Sequence, residues 1–230
     1  MQKKVNDKVI VKKHVLVDEN SPFIVTESFK IARTNLMFAL ASSEKKPVFF
    51  TSANQSEGKS TTCVNISSSF ASMGSRILVL DADLRRPTVH KYFKLKNSKG
   101  LSSVLGYFNK VHDCIYQNVR PNLDVMTSGP IPPNPAELLT SKAMTDLLTA
   151  LDEYYDYIFI DTPPVNVVTD SQLLNKNCAG CIFVVRRNQT KHSDITEGLR
   201  RIKLANGNIL GFMTINPDLN KGKKYHYRYK

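Results

Sequence analysis

Lys59 and Ser60 carry the clearest chemistry in this chain. They close the stretch PVFFTSANQSEGKSTT, residues 47–62, where an apolar run breaks into a small-residue loop and then enters a helix-like segment. In such a loop, backbone N–H groups and the positive helix N-terminus cradle phosphate oxygens. Lys59 reaches the β and γ phosphates, and the Ser60 hydroxyl ligates Mg²⁺. Gln55, Ser56, Glu57, Gly58, Lys59, Ser60 and Thr61 are therefore the candidate ATP-binding residues. The full spacing GxxxxGK[ST] asks for Gly at position 53, where this chain has Ala53.

Two more segments place carboxylates at the ends of apolar, β-like runs: ILVLDAD at 77–83 and YIFIDTPP at 157–164. In a parallel α/β sheet the carboxyl ends of the strands line one crevice, which would gather Asp81, Asp83 and Asp161 beside the phosphate loop. Each Asp alone reads equally well as a cap on the next turn or helix. Together with the GKS loop they point to a nucleotide and Mg²⁺, an ion that takes one or two protein oxygens and keeps waters.

The elements that must position these residues alternate between strand-like and helix-like patterns, which argues for a single α/β domain with a doubly wound, mainly parallel sheet. A helical spacing runs over 26–41, carrying Glu27, Lys30 and Arg33 among its polar positions. A strand follows at 47–52, then a helix from Gly58 that ends at Gly74, a residue suited to the left-handed closing turn. Strands are expected at 76–81, 123–126, 157–161, 181–186 and 209–215, with short helical pieces up to about residue 108. Asn134-Pro135-Ala136-Glu137 reads as a capped helix start, predicting one helix over 135–153. Ser193 or Asp194 opens the last helix.

The chain has 230 residues, 41% of them hydrophobic, enough for one sizeable core. No apolar run approaches a membrane span and no signal-peptide pattern opens the chain, so a cytosolic protein is expected. Cys178 and Cys181 form a CxxC that leads straight into an apolar strand, with no second pair for zinc. The formal net charge is +12, and residues 1–13 and 221–230 together supply nine of those charges. A nucleic-acid groove needs its positive excess on the folded body, so nucleic acid is not an expected partner. Basic termini instead suit a protein lying against an anionic membrane face.

The loop TSANQSEGKSTT, LVLDADLRRP at 78–87, GPIPPNPAELL at 129–139, FIDTPP at 159–164 and the terminal tyrosines resemble the bacterial tyrosine kinases of capsule and exopolysaccharide synthesis. The likeness is to the Gram-positive type, in which the kinase is a chain separate from its membrane partner, and it runs from about Glu27 to the C-terminus. It implies a P-loop kinase domain over 26–217, preceded by a basic arm over 1–25 and followed by a flexible tail over 218–230. In that family the loop usually carries Pro-Gly where this chain has Gln55-Ser56. The oligomerisation helix resembles ExxRxxR, matched here by Glu27, Lys30 and Arg33.

The resemblance further implies transfer of the ATP γ-phosphoryl to Tyr225, Tyr227 and Tyr229 of a neighbouring subunit in a ring-like homo-oligomer. Lys59, Asp81, Asp83 and Asp161 would be catalytic, with Ser60, Asp83 and Asp161 serving Mg²⁺ and Asp81 orienting or deprotonating the phenol. Asn216 is a candidate for the adenine edge, and Arg85 or Arg86 for a phosphate clamp. Implied partners are the cytoplasmic tail of a transmembrane chain-length regulator, which holds the kinase at the inner membrane face, and an opposing tyrosine phosphatase. Two other readings share the fold: a partition or division switch ATPase, which carries an extra lysine where this chain has Asn54, and a regulatory pseudoenzyme.

Overall fold

A computed structural model describes residues 16–18 and 20–215. Asn216 and the tail tyrosines Tyr225, Tyr227 and Tyr229 lie outside the described residues, as does most of the N-terminal arm. Seven strands form one sheet: β1 (Pro47–Ser52), β2 (Ile77–Asp81), β3 (Ile115–Arg120), β4 (Leu123–Met126), β5 (Tyr157–Asp161), β6 (Gly180–Arg186) and β7 (Ile209–Ile215), in the order β3-β4-β2-β5-β1-β6-β7. Every pairing is parallel except β3 with β4. The antiparallel β3 is an addition to the expected elements. Its partly exposed residues, with Gln117 and Asn118 in the middle, give no apolar run to read.

β1 is buried at all six positions because it lies in the centre of a sheet covered on both faces. Helices pack on each side: α1 (Phe23–Leu40), α2 (Lys59–Ala71), α3 (Val89–Tyr92), α4 (Leu101–Leu105), α5 (Pro135–Thr140), α6 (Lys142–Asp152), α7 (Asp170–Leu173) and α8 (His192–Leu204). One core layer joins Phe49, Leu80, Ile160 and Phe183 to α6 and α8, and the other joins Phe50, Val79 and Phe159 to α1 and α2. On the α2 side Phe70 meets Phe159 edge-on, with ring centres 5.0 Å apart. Among the described residues no helix is long and apolar enough to cross a membrane.

Several local expectations need correction. The helix expected over 135–153 is two, because Ser141 takes an extended conformation and its hydroxyl caps α6 by accepting from Met144 N at 3.2 Å. Asn134 does not cap α5; its side-chain amide donates to Glu137 Oε2 at 2.6 Å instead. α1 begins three residues earlier than expected, directly after Pro22. α8 starts at His192, and the Asp194 carboxylate serves a different loop. Gly74 has φ +94°, the left-handed turn anticipated for it. The end of the N-terminal arm is bound to the domain: Val17 N donates to Asn65 Oδ1 at 2.7 Å and its carbonyl accepts from Arg120 at 3.0 Å.

Candidate functional site

Because β1 sits between β5 and β6, the loop after it opens at the strands' carboxyl ends, facing those after β5 and β2. Gly58 has φ +90°, the left-handed conformation that favours glycine, and the tip of the Ile215 side chain lies over it. The next residue opens α2, whose first-turn N–H groups lack partners within the helix and face the loop. The loop is braced from within by Glu57. Its buried carboxylate accepts from Asn54 N at 2.9 Å and from the Thr190 hydroxyl at 2.8 Å. Glu57 thus shapes the loop through its side chain, leaving its backbone for phosphate.

Parallel pairing puts Asp81 and Asp161 opposite one another as register partners on β2 and β5. Lys59 Nζ lies 3.1 Å from Asp83 Oδ2, 3.4 Å from Asp161 Oδ1 and 3.3 Å from Ser60 Oγ. The four expected catalytic residues are therefore brought together. Burial would lower the lysine's pKa, but Asp161 and Asp83 outweigh it and raise it. Asp81 is fully buried, and its oxygens accept from the backbone N–H groups of Asp83, Thr88 and Val89. Burial first, then the charges of Asp161 and Asp83, push its carboxyl well above the usual range. Asp161 is also raised by burial, with Lys59 and Ser60 pulling against that shift.

The donor set fits a small hard cation. Asp161 Oδ2 is buried without a hydrogen-bond partner, and the neighbouring Ser60 and Asp83 offer further oxygens. Among the described residues no three His, Cys, Asp or Glu side chains form a metal cage. Mg²⁺ takes few protein oxygens and completes its shell with phosphate and water. A groove of about 1280 Å³ runs from the loop past Asp83, Pro164 and Arg186 to α1 and β7, room enough for a nucleotide. A smaller cavity of about 690 Å³ lies away from the loop, by Arg76, Asn122 and Tyr155.

The remaining expected residues divide. Arg86 donates to Gln55 Oε1 at 2.7 Å, so it grips the loop. Arg85 is engaged elsewhere, in a two-point pair with the buried Asp170 at 2.8 and 3.2 Å; this corrects its expected role as a phosphate clamp. Lys30 pairs with Glu27 within α1 at 2.7 Å, and Arg33 donates to Ser69 O at 2.7 Å. Cys178 and Cys181 are buried free thiols; burial pushes Cys181 up to about 12 and raises Cys178 as well, which suits core packing.

Three contacts were not anticipated. Arg186, at the end of β6, donates to Ser56 O at 2.8 Å, and Ser56 itself has φ +62°. Asn54 donates to Asp194 at 2.9 Å, tying the loop to α8. Tyr92 OH and Thr61 Oγ1 are 2.6 Å apart. Arg186 was findable, since the strand-end rule that gathered the aspartates applies equally to β6; the other two have no sequence signal.

The family described as AAA domain matches residues 51–202. Tyrosine-protein kinase YwqD of Bacillus subtilis is 39% identical over 202 residues, spanning 88% of this chain and 85% of that protein. Tyrosine-protein kinase CpsD of Streptococcus pneumoniae serotype 4 is 33% identical, spanning 86% of each. The kinase domain of the Escherichia coli tyrosine kinase ETK superposes with a TM-score of 0.82 at 27% identity, covering 96% of this chain and 89% of that one.

Proposed function

This chain belongs to the bacterial tyrosine-protein kinases, and on that premise we propose that it phosphorylates its own C-terminal tyrosines in trans and thereby regulates capsule or exopolysaccharide synthesis and chain length. The acceptors are Tyr225, Tyr227 and Tyr229, borne on a polar, basic terminus and offered to a neighbouring copy's loop. The observation that carries the reading is Lys59 held between Asp83 and Asp161, with Asp81 behind them.

Lys59 turns from its two carboxylates toward the β and γ phosphates, and with the loop amides it neutralises charge developing on the transferred group. Ser60, Asp83 and Asp161 would hold Mg²⁺, which would supply neutralising charge to the phosphates; Asn216 is assigned to the adenine edge by resemblance alone. Asp81 accepts the phenol proton as the phenol oxygen takes the γ-phosphoryl and ADP departs. A carboxylate made more basic by burial is the better acceptor for that proton. The P–O bond to ADP breaks as the P–O bond to tyrosine forms, so charge and protons balance.

Three partners complete the proposal. A transmembrane chain-length regulator activates the kinase through its cytoplasmic tail and holds it peripherally at the inner membrane face. Other copies join it in a ring-like assembly through Glu27, Lys30 and Arg33 on α1. A tyrosine phosphatase resets the tail. Asn54 weighs against the switch-ATPase alternative, because it already binds Asp194 where that class carries a lysine. The pseudoenzyme alternative has only Gln55-Ser56 behind it. The test is phosphotyrosine formation by the purified chain with Mg²⁺ and ATP, with and without the regulator's cytoplasmic peptide. Incorporation that the peptide increases and Lys59→Met abolishes is expected; no phosphotyrosine under either condition would overturn the kinase reading.

A further inference from the structure

Asp170 lies outside the Lys59 cluster, yet it too is a fully buried carboxylate. It opens α7 and takes the guanidinium of Arg85, whose side chain reaches solvent, at two points: Nε donates to Oδ2 at 2.8 Å and Nη2 to Oδ1 at 3.2 Å. Stability alone gives little reason for such a pair, because apolar residues of similar volume serve a buried position at least as well. What the fork supplies is direction, since two parallel bonds fix where the arginine must lie.

The pair spans the two strand exits that carry the candidate Mg²⁺ oxygens. Arg85 lies two residues beyond Asp83, after β2, and Asp170 lies nine beyond Asp161, after β5. The β5 side is the anchored one. Thr162 N donates to Phe50 O at 3.2 Å, Val165 N to Ser52 O at 2.9 Å and Asn166 N to Ala53 O at 3.3 Å, which fastens the chain leaving Asp161 to the end of β1. α7 then packs on α5. On the β2 side, Ala82 N donates to Asp161 O at 2.8 Å as the last rung between the strands, and Asp83 comes after it. Beyond that rung, two polar ties cross to the β5 side among the described residues. One is Lys59, held by Asp83 and Asp161 at once; the other is the Arg85–Asp170 fork.

The two ties differ in when they are available. Lys59 is the residue that serves the phosphates, so its bridge between the carboxylates is given up as it turns to them. Asp83 and Asp161 then face one another as like charges, in surroundings where repulsion is stronger than in water. The fork takes no part in that exchange. We propose that Asp170 is a positioning residue for the cation site: through Arg85 it holds the Asp83 segment against the exit of β5, so that Asp83 and Asp161 stay within reach of one ion when Lys59 leaves them. This rests on the assignment of Mg²⁺ to Ser60, Asp83 and Asp161. The fork also keeps the Arg85 charge on Asp170, although Arg85 lines the nucleotide groove.

The test uses the full chain and reads nucleotide binding, not turnover. ADP affinity is measured by calorimetric titration in EDTA and then over a series of Mg²⁺ concentrations, for wild type, Asp170→Asn and Arg85→Lys. The first variant keeps the buried volume and removes its charge; the second keeps the cation and removes the fork. Mg²⁺ should tighten ADP binding by wild type. Asp170→Asn should need about tenfold more Mg²⁺ for the same tightening, the lower end of the loss when a group supporting a metal ligand is changed, with its affinity in EDTA within about twofold of wild type. Arg85→Lys should fall between the two. If Asp170→Asn does not fold, Arg85→Met/Asp170→Leu removes both charges together and carries the same readings. Equal weakening with and without Mg²⁺ is the mark of a merely structural role and would overturn the proposal, as would a Mg²⁺ requirement equal to that of wild type. Tighter binding in EDTA by Asp170→Asn would show that the pair withholds Arg85 from the phosphates, and overturns it too. Binding by wild type that ignores Mg²⁺ would remove the cation assignment itself, and this proposal with it.

Discussion

Asp81 and Asp161 are register partners on adjacent parallel strands, so the sheet itself sets two carboxylates side by side in a buried place. Two like charges there are costly unless a cation intervenes, and Lys59 is that cation. Its removal should therefore be felt in the fold as well as in the chemistry.

Lys59→Met should abolish phosphotyrosine formation and lower stability by about 3 kcal/mol near pH 8, as for breaking a buried pair from one side. The deficit should shrink on acidification. Asp81 and Asp161 titrate above an unfolded value of about 3.9, so the folded state binds protons more readily; it is favoured below that value and loses ground as pH rises through the raised folded values. Urea unfolding at pH 5 and pH 8 measures this, and equal deficits at both would count against the electrostatic account.

Asp81→Asn should cut the transfer rate by about a hundredfold or more, within the range for lost general-base help, while ADP affinity changes by less than about threefold. Kinetics beside calorimetric titration separates the two. Parallel loss of rate and affinity points to Mg²⁺ as this carboxylate's partner.

Arg186→Met should weaken ADP binding about tenfold, the cost of one hydrogen bond from a charged donor, since its guanidinium holds Ser56 in a left-handed conformation that serine seldom takes. The saturated rate should hardly move. Unchanged ADP affinity would show that the loop keeps its shape unaided.

Tyr225→Phe/Tyr227→Phe/Tyr229→Phe should bind ATP normally, lose nearly all self-phosphorylation and stay assembled where wild type dissociates. Each phosphate adds about 1.5 to 2 negative charges, enough together to cancel the +5 of residues 221–230. Mass spectrometry locating most phosphate on Tyr107, Tyr154 or another body tyrosine would defeat the tail assignment.

Glu27→Lys/Lys30→Glu preserves the pair inside α1 but reverses the pattern offered to a neighbour. Light scattering of the unphosphorylated, activated protein should then report monomers. A mass equal to wild type would falsify the role given to this helix.

What the sequence displays depends on how each element is held. β1, β4, β5 and β7 begin and end where their apolar runs do, the first three because such runs bounded by turns read as strands of a covered sheet, and β7 as a partly exposed edge strand. Asp161 came with β5, and Asp81 with β2, which starts one residue later than expected. The break at Ser141 is hidden, since a serine in a helical pattern looks like any surface position until its hydroxyl is seen capping the next helix. β3 is hidden because an edge strand need not be apolar. Thr190 lies well over a hundred residues from the loop it braces and at no strand end, so no local pattern marks it.

Glu57, Gln55, Ser56 and Asn54 each take a partner from outside the phosphate loop: Thr190, Arg86, Arg186 and Asp194. The grip on a bound nucleotide is thus adjustable from the far ends of β2 and β6 and from the first turn of α8. Selection can lengthen or shorten the time ADP stays bound by changing those outlying residues, with Gly58, Lys59 and Ser60 left alone. Whatever leans on α8 from outside also holds a lever on that residence time, and the two could be tuned together without touching the chemistry of transfer.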